Sequence, residues 1–343
     1  MKKLVNEGNR IVDDMIDGFV AAFPGIVARG LNSRVVRRAD PAPSDTKVSI
    51  LIGNGSGHEP IALGFVGEGL LDANVVGDIF AAPSPDLILD GLREVTGAAG
   101  SILLISQHSG DVINGNAAVA MALDEGLNVA PLLMYDDISS APKGREDERR
   151  GAPGTIFIYK ILGAASERGM PLQKLLALGE DVRSRTRTLA AALGPGISPL
   201  SGQPMFELPD DEVFIGMGVH GEPGMSRMKN GLVRELVAHM VQSLLDDRPV
   251  ASGEEVVVLV NGAGGTSLME LLIVFREVNA LLEQAGLRVV APLVQELVTT
   301  QEMAGVSISI FTPTPEMLRL WCAPSTAPYF PAILRPRVLG GEA

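Results

Sequence analysis

Two of the four histidines in this sequence stand in matching surroundings. His58 follows Gly53-Asn54-Gly55-Ser56-Gly57 and precedes Glu59-Pro60, while His220 follows Gly218-Val219 and precedes Gly221-Glu222-Pro223-Gly224. Each comes after a short apolar run, Val48 to Ile52 and Val213 to Val219, with the length and composition of a buried strand. A histidine at a strand exit between glycines has little bulk around its imidazole, and bare backbone lets a ligand approach closely. Ligands also collect at the carboxyl ends of strands in open α/β sheets. A single such histidine reads first as a packed residue ending a strand; the recurrence favours a shared cleft. Asp111 stands beyond a third run, Ser101 to Ile105, close to His108. A carboxylate there serves as a general base, as a cap for the helix that follows, or as both.

The glycine loops narrow the chemistry. Gly53 to Gly57 does not meet the G-x-G-x-x-G spacing, and neither it nor Asn261 to Thr266 carries a Walker lysine. Both loops still offer backbone N–H groups to a polar ligand. No His-x-x-x-His pair or carboxylate cluster points to a metal held by this chain.

Composition sets the outer bounds. The 343 residues suffice for two domains, and 46% hydrophobic with 20% charged residues fits a soluble globular protein. A net charge of −13 argues against nucleic-acid binding through phosphates. The single cysteine, Cys322, excludes an intramolecular disulfide and the usual multi-cysteine zinc sites. No apolar run approaches bilayer length and no signal-peptide core follows Met1-Lys2-Lys3, so a cytoplasmic location without membrane association is expected.

The elements that must position these residues alternate. Residues 9–23 pattern as an amphipathic helix ending near Pro24-Gly25, and a short strand begins at Val35-Val36. The strand at Val48 leads through His58 towards a helix. A strand at 74–80 precedes a helix that Ser84 or Asp86 caps. Further strands at 101–105 and 128–134 enclose a helix over 114–125, and Lys143 to Arg150 reads as a solvated loop. Gly154 to Glu167 reads as a helix with a glycine and alanine face for close packing, and Leu172 to Ala192 as another. Gly194 to Pro204 is rich in breakers and marks a domain boundary. Beyond it come helices over 226–245 and 267–285 and strands over 255–260, 288–294 and 307–311, with a Pro-rich close from Pro324. The pattern is that of two α/β domains with largely parallel or mixed sheets flanked by helices. An N-terminal domain at 1–193 carries the Gly-Ser-Gly-His loop and Asp111, and a C-terminal domain at 194–343 carries His220.

Five stretches in order carry a resemblance that spans essentially the whole chain. They are Gly55-Ser56-Gly57-His58-Glu59-Pro60, Gly110-Asp111-Val112, Arg149 to Thr155, Gly218 to Gly224, and Glu302 to Ser307. The sequence resembles the substrate-binding (DhaK) subunit of dihydroxyacetone kinases. The resemblance implies a two-domain α/β subunit that dimerises with itself and holds a short ketose. It also implies that a separate nucleotide-binding (DhaL-like) subunit or a fused helical domain supplies the nucleotide, so Mg-ATP or Mg-ADP is expected on that partner and no cofactor on this chain. His220 would add to the ketose carbonyl to give a hemiaminal, and Asp111 would take the proton of the terminal hydroxyl as it attacks phosphorus. His58, with Gly55, Ser56 and Gly57, would hydrogen-bond the ketose.

The departures from that family's pattern cluster at the same place. Ser106-Gln107-His108-Ser109 stands where the family has Lys-Asn-Tyr-Thr, so Ser106 takes the place of a substrate-contacting lysine. Ile61-Ala62-Leu63-Gly64-Phe65 replaces Ala-His-Ala-Gly-Tyr, and Asn54 replaces a glycine. A four-carbon ketose such as erythrulose is therefore a candidate beside dihydroxyacetone. The rival reading is a non-catalytic ketose sensor that co-regulates a transcription factor, with Asp111 as the discriminating residue; a lipid carrier on a related fold fits a histidine-lined pocket less well.

Overall fold

The structure is a computed structural model that describes residues 3–41, 45–218 and 224–335. After helix α1 (Ile11–Ala22) come strands β1 (Val27–Arg29), β2 (Val35–Arg38), β3 (Ser49–Ser56) and β4 (Ala73–Ile79). Helix α2 (Pro85–Val95), β5 (Ser101–Ser106), α3 (Ser109–Asp124) and β6 (Val129–Met134) follow, then helices α4 (Thr155–Glu167) and α5 (Leu172–Ser184). Six strands form the first sheet in the order β1-β2-β4-β3-β5-β6. Its centre, β4-β3-β5-β6, is parallel, and β1 and β2 extend it antiparallel.

The rest of the chain builds β7 (Thr186–Ala192), β8 (Glu212–Ile215), β9 (Ser226–Lys229), α6 (Val233–Asp247), β10 (Glu255–Gly262) and α7 (Leu268–Gln284). It ends with β11 (Arg288–Val289), β12 (Leu293–Gln295), β13 (Gly305–Phe311) and α8 (Pro315–Trp321). The second sheet runs β11-β10-β13-β7-β8-β9 with β12 also on β10. Its pairs are antiparallel except β10 with β11 and β12, so the first sheet is largely parallel and the second is mixed.

Strand periodicity divides the cores. On β5, Leu103 and Ile105 face a cluster under α2 and α3, while Ile102 and Leu104 face the opposite way. On β10, Val256, Val258 and Val260 face α6 and α7, and Val257 and Leu259 face away from them. The two inner faces belong to one cluster with α4 and Trp321. Every residue of α4 from Thr155 to Ser166 is buried, including Lys160, whose ammonium donates to the Leu320 carbonyl at 3.2 Å. Phe157 stacks on Phe311 at 4.9 Å and meets Trp321 at 4.9 Å. Gly163 lets the helix lie against the backbone of Leu70, where a Cβ would come within 2.4 Å of the carbonyl oxygen. The glycine and alanine face read from the sequence is thus a contact face.

Four local expectations are corrected. The stretch 172–192 is not one helix: α5 stops at Ser184 and Thr186–Ala192 becomes an interior strand between β13 and β8. Helix preference in the Ala190-Ala191-Ala192 run loses to ladder bonds on both sides and burial of Leu189 and Ala191. Strand β7 therefore lies in the second sheet, upstream of the boundary expected at 193/194. Ser226–Lys229 pairs with β8 as an edge strand before α6 begins. After His58 the chain makes turns and a single short 3₁₀ turn at Leu63–Phe65 where a helix was expected. Helix α8, which the sequence reading left out, has Pro315 in its first turn and Thr314 as its cap, 3.2 Å from the Met317 N–H.

Arg149, the end of the charged 143–150 stretch, is 1% exposed and not solvated. Its guanidinium grips both oxygens of Asp247, with one bond at 2.9 Å, and Arg187 reaches the same carboxylate. Asp247 sits at the carboxyl end of α6, where a negative charge opposes the helix dipole and needs these cations. Replacing Asp247 by Ala strands a buried guanidinium; the expected cost is about 3–5 kcal/mol, read as the shift in chemical-denaturation midpoint. A loss below about 1 kcal/mol would mean that the pair behaves as a surface ion pair.

Candidate active site

The pocket is made where β3, β5 and β6 leave the first sheet. β3 exits through Gly55, whose Cβ, were there one, would press within 2.8 Å of the Ala81 backbone nitrogen. Gly57 has φ of +99° and lies under the Phe80 ring, so both a side chain and an ordinary backbone are excluded there. Ser56 turns inward and donates to the Gly77 carbonyl at 2.5 Å. The Gly57 N–H lies between the two Glu59 oxygens at 3.1 and 3.0 Å, and burial pushes the Glu59 carboxyl upwards.

His58 is 7% exposed and packs on Phe80, ring centroids 5.0 Å apart. Its Nδ1 lies 2.7 Å from the Thr299 carbonyl oxygen. A carbonyl only accepts, so Nδ1 carries a proton and donates this bond. Thr299 lies beyond β12, so the second half of the chain orients this histidine of the first. β5 exits at Ser106, and His108 then opens α3 in an extended conformation as its N-cap residue. The His108 Nε2 donates to the Gly151 carbonyl at 3.2 Å. Asp111 falls in the first turn of α3, where the helix dipole favours a carboxylate.

His58, Asp111, Ser106 and Gly55 line one pocket of about 60 Å³. It abuts a wider cleft of about 490 Å³ that shares Gly55, His108 and Asp111 and is edged by Glu148 and Arg150. Ser56 and Gly57 are not in its lining; they shape the turn that carries His58. His220 lies outside the described residues. The lining also holds groups for which the sequence reading had no role: Asn54, His108, and Thr155 and Tyr159 on the first turns of α4. Burial pushes the Tyr159 hydroxyl upwards, with the Asp111 and Asp136 charges adding to it, so it is a neutral donor. The Gly-Ala-Pro-Gly turn before α4 was the legible signal, since small residues at a helix entry leave room for a neighbour. Among the described residues, no group of three or more His, Cys, Asp or Glu stands together to hold a metal ion, and no helix is long and apolar enough to cross a membrane.

The arrangement offers a histidine, a carboxylate at a helix start and several hydroxyl groups around a small cavity whose remaining lining is apolar. Groups of these types have the chemistry to hydrogen-bond a hydroxylated molecule and to accept a proton from it. The Dak1 domain model matches residues 17–329, so this chain belongs to the Dak1 family, as the sequence motifs implied. It is 40% identical over 310 residues to the dihydroxyacetone-binding subunit DhaK of a PTS-dependent dihydroxyacetone kinase of Listeria innocua, covering 90% of this chain and 94% of that one. It is 37% identical over 330 residues to a D-erythrulose kinase of Mycolicibacterium smegmatis, covering 96% of this chain and 56% of that one. Among solved structures, the dihydroxyacetone kinase operon co-activator DhaQ superposes with a TM-score of 0.87 at 31% identity, over 92% of this chain and 97% of the other.

Gly151 is pinched against β5, for a Cβ there would meet Ser106 Oγ at 2.4 Å. Gly151→Ala should destabilise the fold by about 1–3 kcal/mol through overpacking. Ser106→Gly in the same chain should return most of that loss in a double-mutant unfolding cycle. Additive losses would show that the two residues do not contact.

Proposed function

We propose that this chain is the ketose-binding half of a dihydroxyacetone-type kinase, taking dihydroxyacetone or a four-carbon ketose such as erythrulose. The observation that carries the reading is the convergence of His58 from the β3 exit with Ser106 and Asp111 from the β5 exit on one small pocket. Relatives whose names specify dihydroxyacetone binding and D-erythrulose kinase activity support it. Ser106, with no lysine in its place, shortens the wall beside Gly151 and is the feature that favours the larger ketose.

In this mechanism a nitrogen of His220 adds its lone pair to the ketose carbonyl carbon. The carbonyl π pair goes to oxygen, which gains the proton that the imidazole gives up, leaving a neutral hemiaminal. Polyols without an electrophilic carbon are excluded by that step. The terminal hydroxyl then attacks the terminal phosphorus of a nucleotide; Asp111 accepts its proton, and the bond from phosphorus to the leaving diphosphate oxygen breaks. His58, fixed by Thr299, hydrogen-bonds the ketose through Nε2 and relays protons. Mg-ATP or Mg-ADP belongs on a second, DhaL-like subunit that docks over the cleft, and this chain pairs with a second copy of itself. The glycine loops lack the lysine a phosphate cradle uses, and the D-erythrulose kinase is nearly twice as long as the stretch matched here, which supports a separate nucleotide part.

A ketose sensor is the second reading, favoured by the missing lysine at Ser106 and by the likeness to the co-activator DhaQ. The deciding assay combines the purified chain, Mg-ATP and each ketose, with and without a nucleotide-binding subunit from the same genome. Ketose phosphate should form only with the second subunit. Formation by the chain alone overturns the two-subunit reading, and binding without turnover in any pairing assigns the sensor. Asp111→Asn should keep ketose affinity within a few-fold and cut turnover by roughly two to four orders of magnitude, the worth of a positioned base. Carbon-13 NMR of a labelled ketose should show a tetrahedral carbon in the wild type that His220→Ala abolishes; a carbonyl carbon left trigonal in the wild type removes the hemiaminal step.

A further inference from the structure

Beneath the pocket lies a carboxylate that the mechanism does not use. Asp136 follows β6 and is 3% exposed. Its Oδ1 accepts the Ala152 N–H at 2.7 Å and its Oδ2 accepts the Gly154 N–H at 2.9 Å. Its own N–H donates to the Arg150 carbonyl at 3.1 Å. One residue therefore fastens the turn from Arg150 to Gly154 at three points. The space admits nothing else: a Cβ on Gly154 would come within 2.5 Å of Asp136 Oδ2 and 2.7 Å of Thr188 Oγ1.

The far side of that turn is the pocket wall. Gly151 and Ala152 line the pocket, the Gly151 carbonyl accepts from His108, and α4 starts directly after the turn with Thr155 and Tyr159. From these contacts we infer that Asp136 is a positioning residue for ketose binding, acting as a two-pronged clasp whose charge state sets the shape of the 151–155 wall. The inference rests on the ketose-binding reading of the same pocket.

The groups facing Asp136 define how it titrates. Asp137, next along the chain, pairs with Arg150 at 2.9 Å. Tyr159 presents a neutral hydroxyl from α4, and β7 contributes the Thr188 hydroxyl, hydrogen-bonded to Ser309 of β13 at 2.7 Å. Burial pushes the Asp136 carboxyl up to about 7; Asp137 adds to this, and the bonds from Thr188, Ala152 and Gly154 oppose it. Above that pH the ionised group accepts both N–H bonds, and below it one oxygen carries a proton and its hold on the turn weakens. Stability runs the other way. A carboxyl raised in the folded state favours folding most at low pH, and that contribution is lost as pH rises through about 7. The stability loss runs from the unfolded carboxyl's value of about 4 up to about 7, so binding and stability should change in opposite directions between pH 6 and 7, which a purely structural carboxylate would not produce.

Asp136→Asn tests the clasp, because an amide has one oxygen and must turn an NH₂ towards one of the two N–H groups. In the variant, hydrogen exchange at Ala152 or Gly154 should quicken by roughly 10- to 100-fold, the worth of one hydrogen bond to a charged group. Ketose affinity should fall about tenfold or more and lose its dependence on pH between 6 and 8, whereas wild-type affinity weakens on acidification. A variant with unchanged exchange at both amides, or with the wild-type pH profile of binding, overturns the inference. If the variant does not fold, the wild type carries the test: the amide shifts of Ala152 and Gly154 must move with the Asp136 carboxyl carbon near pH 7, and shifts that stay fixed refute it. The amide readouts need no ligand. A wild type that binds no ketose at any pH thus refutes the functional reading and leaves the clasp to be judged separately.

Discussion

The burial of α4 is the constraint on which the rest of this structure depends. A helix enclosed on every side must be covered by two layers, and here the inner faces of both sheets do the covering, with Trp321 and Phe330 closing the end. Close approach requires Gly163 against Leu70, and the ring contacts of Phe157 with Phe311 and Trp321 join segments more than 150 residues apart in sequence. Because the helix cannot shift without disturbing both sheets, its first turn is a rigid reference, and that first turn is a wall of the pocket.

A rigid helix entry would still leave the preceding loop loose. The segment from Arg149 to Gly154 is held by charge instead of apolar contact: Arg149 on Asp247, Arg150 on Asp137, and two backbone N–H groups on Asp136. Each buried carboxylate has donors arranged around it, as burial of charge demands. The same logic fixes His58, whose proton is committed to Thr299 from the other half of the chain. Catalytic-type side chains thus stand on strand ends and one helix start, and the second half of the chain supplies the bonds that orient them.

Much of this was legible in local pattern. The strand runs before His58 and Asp111, the Ser84 cap of α2 and the small-residue face of α4 are all encoded in residues a few positions apart. The pairing of glycines with His58 and the placing of Asp111 beyond a strand were enough to nominate the pocket, because strand exits in a parallel sheet share one edge. Tyr159 and Thr155 were not nominated, since only the placement of α4 beside the pocket brings them there.

What the sequence by itself determined is the set of elements whose signals are local: apolar period, caps and turn residues. Tertiary structure decided the rest wherever long-range pairing outweighed local preference. Thr186–Ala192 is a strand because β13 and β8 supply ladder bonds on both of its edges, against the helix preference of its alanines. Arg149 is buried in a run of charges because Asp247, 98 residues away, neutralises it. Burial pushes the Asp136 carboxyl well above the ordinary carboxylate range, because its surroundings exclude water and the two N–H groups offset only part of that penalty. The physical reason is common to all three: desolvation and hydrogen-bond partners are properties of the folded neighbourhood, and no window of adjacent residues contains them.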